Sequence, residues 1–225
     1  MSASYTGQQR PNDGSSSLNS TAFMVQQLLA RISTLTLVKV MAVTTDGGVA
    51  PVGFVDVLPL VNQLDGAGNA TPHGTVFGLP YLRLQGGANA IILDPAVGDI
   101  GICGFASRDI SSVKATKAVA NPGSLRRFDM ADGMFLGGTL NAAPTQYVQF
   151  NADGITLVSP TKVTISAPEI EIDGILTQGT GPRGGSATME GPVTVNQDLT
   201  AEGTDVHTNR HGDVQPGSGD TGPPV

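Results

Sequence analysis

The residues with the widest chemical reach in this chain are histidines, and two of the three sit close together in His207-Thr208-Asn209-Arg210-His211. Imidazole is the commonest metal-ligating side chain. In an extended strand, residues 207, 209 and 211 point to one side. The Cα atoms of 209 and 211 would then stand about 6.6 Å apart, near enough to share an ion, and those of 207 and 211 about 13 Å apart, which needs a bend. Taken alone, histidines near a C-terminus are solvated polar residues. His73, in Thr71-Pro72-His73-Gly74, reads as a loop residue without a partner.

Other chemistry is harder to assemble. A hydrolase needs an acid–base pair or an activated nucleophile in a pocket, and the sequence contains no G-x-S-x-G, H-E-x-x-H or Cys–His arrangement. Asp94 and Asp99 flank a turn and read as structural. Glu169 and Glu171 alternate on a strand as its solvated face. The glycine-rich stretch 179–185 lacks the Lys-Ser/Thr ending of a phosphate loop. Cys103 is the single cysteine, inside the apolar run Ile100-Gly101-Ile102-Cys103-Gly104-Phe105, and reads as a small buried hydrophobe. The chain is therefore expected to be non-enzymatic.

Composition points the same way. Of 225 residues only 14% are charged and 4% aromatic, Trp is absent and Gly numbers 30, which favours turns and short strands over long helices. A net charge of −7 argues against a nucleic-acid partner, because phosphate binding needs a clustered basic surface. The polar N-terminus has no apolar signal-like run, and no stretch of about 20 apolar residues could span a bilayer as a helix.

The elements that would carry these residues are mainly β. Residues 1–20 read as a flexible arm. The spacing of Met24, Val25, Leu28, Leu29 and Ile32 predicts a helix capped by Ser20 or Thr21, its role being to pack on a neighbouring barrel. Runs at Leu35–Val43, Val52–Leu60, Thr75–Leu84 and Ala90–Phe105 predict strands, with Pro59 and Pro80 at edges or strand ends. Four or five short strands in about 75 residues fit a barrel of the OB type. The expected organisation is an arm at 1–20, helix plus OB collar at 21–109, a connector at 110–145 with a short helix at 110–119, a shaft at 146–206 and a tip at 207–225.

In the shaft, Tyr147–Phe150 precedes the turn Asn151-Ala152-Asp153-Gly154. Apolar residues then alternate at Ile155/Leu157, Val163/Ile165, Ile170/Ile172 and Val193/Val195. Short strands with one apolar stripe cannot close a core alone. Three copies around one axis can share an interior and leave no strand edge free. The expected fold class is thus mainly β: a short helix and OB-fold barrel, followed by an intertwined trimeric β-helix or prism, to which the resemblance described next adds a pointed apex.

At this point the sequence resembles a known family. Asp94-Pro95-Ala96-Val97-Gly98-Asp99-Ile100-Gly101 resembles the P-x-x-G-D turn in the OB domains of phage baseplate spikes. The ending His211-Gly212-Asp213-Val214-Gln215-Pro216-Gly217-Ser218-Gly219-Asp220-Thr221-Gly222-Pro223-Pro224 is similar to the H-G-x-V-Q-P-G-x-G-x-T-G-x-P tail of central spikes from contractile-tailed phages. The resemblance covers nearly the whole chain. It implies a homotrimer in the virion, at the tip of the tail baseplate, whose collar sits among hub proteins and whose shaft pierces the host outer membrane. The device would be a phage tail or a related injection machine. The resemblance also implies one iron ion at the apex, held in that family by a His-x-His pair from each chain. This sequence departs from the pair, carrying Asn209 in the first position. The expected metal ligands are His211 first, His207 second and Asn209 third. Some relatives insert a lysozyme domain between barrel and prism, and a connector of about 35 residues is too short to hold one. Two other readings compete: a trimeric carbohydrate-binding tailspike and a plain OB binding module. The tailspike would need aromatic platforms along the prism, and no aromatic residue follows Phe150. The module would leave the prism unexplained.

Overall fold

The computed structural model describes residues 7–44, 48–179, 181 and 184–206. The chain divides into two compact units, 1–161 and 162–225. In the first, α1 (Ser17–Leu29) starts earlier than its apolar periodicity suggested, inside the segment expected to be an arm. Ser16 is extended, and its hydroxyl accepts from the Asn19 N–H at 3.2 Å, satisfying one of the free donors at the helix start. Thr21, expected as a cap, instead lies within the helix and donates back to the Ser17 carbonyl at 2.9 Å.

The head is a curled, half-barrel sheet. Its five strands are β1 (Leu35–Val43), β2 (Phe54–Pro59), β5 (Val76–Pro80), β8 (Ile100–Phe105) and β9 (Gly133–Gly138). They are ordered β5-β2-β1-β8-β9, with every neighbour antiparallel. Two small hairpins lie between these strands: β3 (Gln63–Leu64) with β4 (Ala70–Thr71), and β6 (Leu84–Gly86) with β7 (Asn89–Ile91). Period-2 alternation turns Val38 and Val40 of β1 and Val55 and Val57 of β2 inward, where they are fully buried with Leu79 and Cys103. Register shifts at Val40/Ala42, Val55/Val57 and Ile102/Cys103 break the ladder. Each increases local twist and bends its strand, which is how a five-stranded sheet curls. At the lips of the curl, Tyr81 and Phe135 form a single parallel bridge, and the Leu82 N–H donates to the Phe135 carbonyl at 2.8 Å.

Pro59 and Pro80 end β2 and β5, as expected of a residue without an N–H. The run Ala90–Phe105 is not one strand. It is divided between β7 and β8 by the turn at Pro95–Asp99, where Gly98 adopts φ +100° and the Asp99 carboxylate accepts from the Ala96 N–H at 2.8 Å. The segment read as a connector also does more than connect. After α2 (Ser111–Thr116) and a 3-10 turn (Met130–Asp132), it supplies β9 and the core residue Phe135.

The first unit continues into a hairpin of β10 (Tyr147–Asn151) and β11 (Gly154–Val158), turning at Asn151–Gly154 as read from the sequence. In the second unit, β12 (Thr200–Ala201) and β13 (Thr204–Asp205) form a hairpin whose turn, Glu202 and Gly203, has φ of 50° and 82°. Positive φ at both central residues matches the twist of the flanking strands. The strands expected around residues 163–165, 170–172 and 193–195 are unpaired, and between 162 and 199 the described residues form no strand. Extended segments need neighbours to bond to, and the described residues provide none for them.

Candidate functional site: apolar faces without a core

The β10–β11 register sets Val148 opposite Leu157 and Phe150 opposite Ile155. Side chains alternate across the sheet, so these four share one face, with Tyr147, Gln149, Thr156 and Val158 on the other. Such pairs stabilise a hairpin mainly when something covers them. Here nothing does: Phe150 is 74% exposed and Ile155 71%.

The same condition extends through the second unit. Between 162 and 203, every described residue is exposed, including Val163, Ile165, Ile170, Ile172, Val193 and Val195. Isolated exposed apolar residues are ordinary on proteins, but contiguous runs mark surfaces that another molecule covers. Each side chain left in water forgoes roughly 1.5–3 kcal/mol of burial energy.

The polar clusters in the head, by contrast, are mostly paired internally, although Arg83 Nε and one Asp94 carboxylate oxygen are buried without a hydrogen-bond partner. Asp94 accepts from Arg83 at 2.7 Å and from the Tyr81 hydroxyl at 2.9 Å, while a second Arg83 nitrogen donates to the Ala50 carbonyl at 2.6 Å. The Arg83 hydrogen bond is the main reason the Asp94 carboxyl lies below the usual carboxylate range. This group ties the segments flanking the β6–β7 hairpin to each other and to the loop at Ala50. Asp99 closes its turn, which is held to β1 by hydrogen bonds between Gly98 N–H and the Val40 carbonyl and between Val40 N–H and the Asp99 carbonyl. The structural reading of both aspartates agrees with this geometry.

A second cluster had no sequence signal. Arg126 contacts the nearly buried Asp109 at 3.0 Å and Asp132 at 3.1 Å. Asp109 also accepts from the Ser124 hydroxyl at 2.6 Å and the Ser111 N–H at 2.8 Å. Hydrogen bonding from the Ser111 side chain first, then from Ser124 and the Ser111 N–H, together with the Arg126 charge, holds its carboxyl well below the ordinary range. Only the Asx-type spacing of Asp109 and Ser111 could have hinted at it. Arg126 lies 15 residues beyond Ser111, and only the fold brings them together.

His207, Asn209 and His211 lie outside the described residues, as does the tail motif they introduce. The last described residue is Val206, whose N–H donates to the Leu199 carbonyl at 2.8 Å beside the β12–β13 hairpin. Among the described residues, no group of three or more His, Cys, Asp or Glu side chains is placed to hold a metal. His73 is a half-buried loop residue between β4 and β5. No helix among the described residues is long and apolar enough to cross a membrane.

No known protein family's sequence profile matches this chain, and no curated protein matches it. The functional reading rests on its own surfaces. What the arrangement offers chemically is uncovered apolar surface, a feature of surfaces that associate.

Proposed function

We propose that this chain is a non-enzymatic structural protein: the central spike at the tip of a contractile tail baseplate. It would assemble as a homotrimer and be driven through the host outer membrane when the sheath contracts. The observation that carries this reading is the lack of any buried residue among those described between 162 and 203, despite repeated Ile and Val. Wrapped around a common axis, three such stripes bury one another and pair their free strand edges. The product is a narrow, stiff β-helical prism, as puncturing requires. The curled head serves as an OB-type collar among the hub proteins, a role supported by its five antiparallel strands and the Pro95–Asp99 turn.

At the apex, His211, then His207 and Asn209, would hold one iron ion per trimer. Imidazole nitrogen and amide oxygen are suitable donors for a divalent first-row metal. A bound ion would pin three C-termini into one compact point, so that less lipid is displaced for a given force. A trimeric carbohydrate-binding tailspike also needs a shared interior, but it requires aromatic platforms along the prism, and none follows Phe150.

The test is solution mass together with metal content on the purified chain, repeated with His211→Ala. A trimer with about one metal ion per three chains, lost in the variant, supports the whole reading. A metal-free trimer removes the apex ion and keeps the shaft. A monomer at micromolar concentration refutes the spike.

A further inference from the structure

The helix α1 is amphipathic in the inverted sense. Its less exposed side is mostly polar, Phe23 excepted, and bonds to the segment just before the helix: Asn19 donates to the Asn12 carbonyl at 3.0 Å, and the Ser20 hydroxyl donates to the Asp13 carbonyl at 3.3 Å. Within α1 the only half-buried residues are Asn19, Ser20, Phe23 and Gln27, which lie on one side of the helix. The opposite side carries Leu18, Val25, Leu28 and Leu29, all exposed, and none of the helix residues is buried. An ordinary surface helix turns its apolar side toward its own core. This one turns it away.

The spacing of that outer side identifies its occupant. Within α1, Leu18 and Val25 stand seven residues apart, and with Thr21 and Leu28 they take the a and d positions of a heptad. Met24 and Leu29 widen the stripe on both flanks. The half-buried residues 19, 20, 23 and 27 fall at b, c and f, so packing through a and d would leave the hydrogen bonds to Asn12 and Asp13 intact. From Ser17 to Leu29 there is no charged side chain. A helix lying on an anionic lipid surface uses Lys and Arg on its polar side, and a charged partner groove would find no complement here. An uncharged heptad seam is complementary to itself.

We propose that α1 packs against the α1 helices of two further copies of this chain as a parallel three-helix bundle with Leu18, Val25 and Leu28 in its seam. This inference rests on the trimeric reading of the shaft, because a helix of 13 residues is too short to associate stably alone. The shaft supplies the local concentration, and the bundle closes the opposite end of the chain.

Two full-length variants test it: Leu28→Cys on the seam, and Gln26→Cys, exposed but off it. Cys103 is buried and does not interfere. Under mild oxidation Leu28→Cys should form an interchain disulfide in up to about two thirds of chains, since three thiols around an axis pair only two at a time. Gln26→Cys should form less than about a tenth of that. Thermal unfolding like the wild type's in both variants shows that the head is intact. A trimeric mass with Leu28→Cys no better crosslinked than Gln26→Cys overturns the bundle and leaves the shaft standing, its helix then facing a different protein. A monomeric mass overturns both.

Discussion

The ring of Phe135 lies across the backbone of Gly101, occupying the space where any larger residue at 101 would place its Cβ. The pair joins β8 to β9 and sits beside the Tyr81–Phe135 bridge at which the sheet's edges meet. The contact requires a glycine at 101 and holds β9 closely against β8.

Gly101→Val should destabilise the head by about 1–3 kcal/mol through overpacking, and Phe135→Ala by about 3–5 kcal/mol through the cavity it leaves. Gly104→Ala serves as the comparison. Its Cβ would stand 3.3 Å from a Leu136 methyl, a flexible group that can yield. Urea unfolding measures all three. A Gly101→Val midpoint equal to that of Gly104→Ala would show that the ring moves aside freely.

Asp109 gives the head a defined acid sensitivity. Its folded pKa is depressed, so its contribution is complete above the unfolded value, near 4, and fades as pH falls through the folded one. Asp109→Asn should thus be less stable than wild type at pH 7, with the gap narrowing steadily below pH 4. Denaturant midpoints between pH 7 and pH 2.5 follow it. A gap that stays constant over that range would mean the carboxylate charge is not what holds Arg126, Ser111 and Ser124.

Cys103 should be inert. It is fully buried on β8, and burial pushes its thiol up to about 11, leaving on the order of one thiolate per thousand at pH 8. A disulfide reagent at pH 8 should label it only when denaturant is present. Rapid labelling of native protein would show that β8 opens on the timescale of the reaction.

The β10–β11 face supplies the sharpest probe of assembly. Ile155→Asp or Phe150→Asp should leave the head's melting unchanged and abolish the proposed trimer. Each apolar side chain is worth about 1.5–3 kcal/mol, hence roughly 5–9 kcal/mol when three copies lose it together. Sedimentation reads the outcome. A trimer of wild-type affinity in both variants would show that this face remains in water in the assembled protein.

Much of this was legible from residue order alone, and the reason is local. Val38, Val40, Val55 and Val57 alternate with polar or half-buried neighbours because a strand's side chains alternate. The turns at Asp65–Gly68 and Asn151–Gly154 announce themselves because few residues tolerate or cap such backbones. Asp65 does so by accepting from Ala67 and Asn69 at 2.9 and 2.7 Å. The α1 start was misplaced because an N-cap is a hydrogen bond, invisible to apolar periodicity. Ser16, Ser20 and Thr21 are chemically alike, and only geometry distinguishes them.

From sequence alone came the short strands, their apolar stripes and the shortage of large core residues, since these depend on side-chain type and on periods of two or about four. Tertiary structure decided which distant segments meet. Arg126 finds Asp109 and Asp132, Phe135 covers Gly101, and β9 closes on β8 because burial and ion pairing act through space, over separations that no local pattern records. It also set the direction of α1. An amphipathic pattern says that a helix has an apolar side, but only the packed chain shows that this side faces outward.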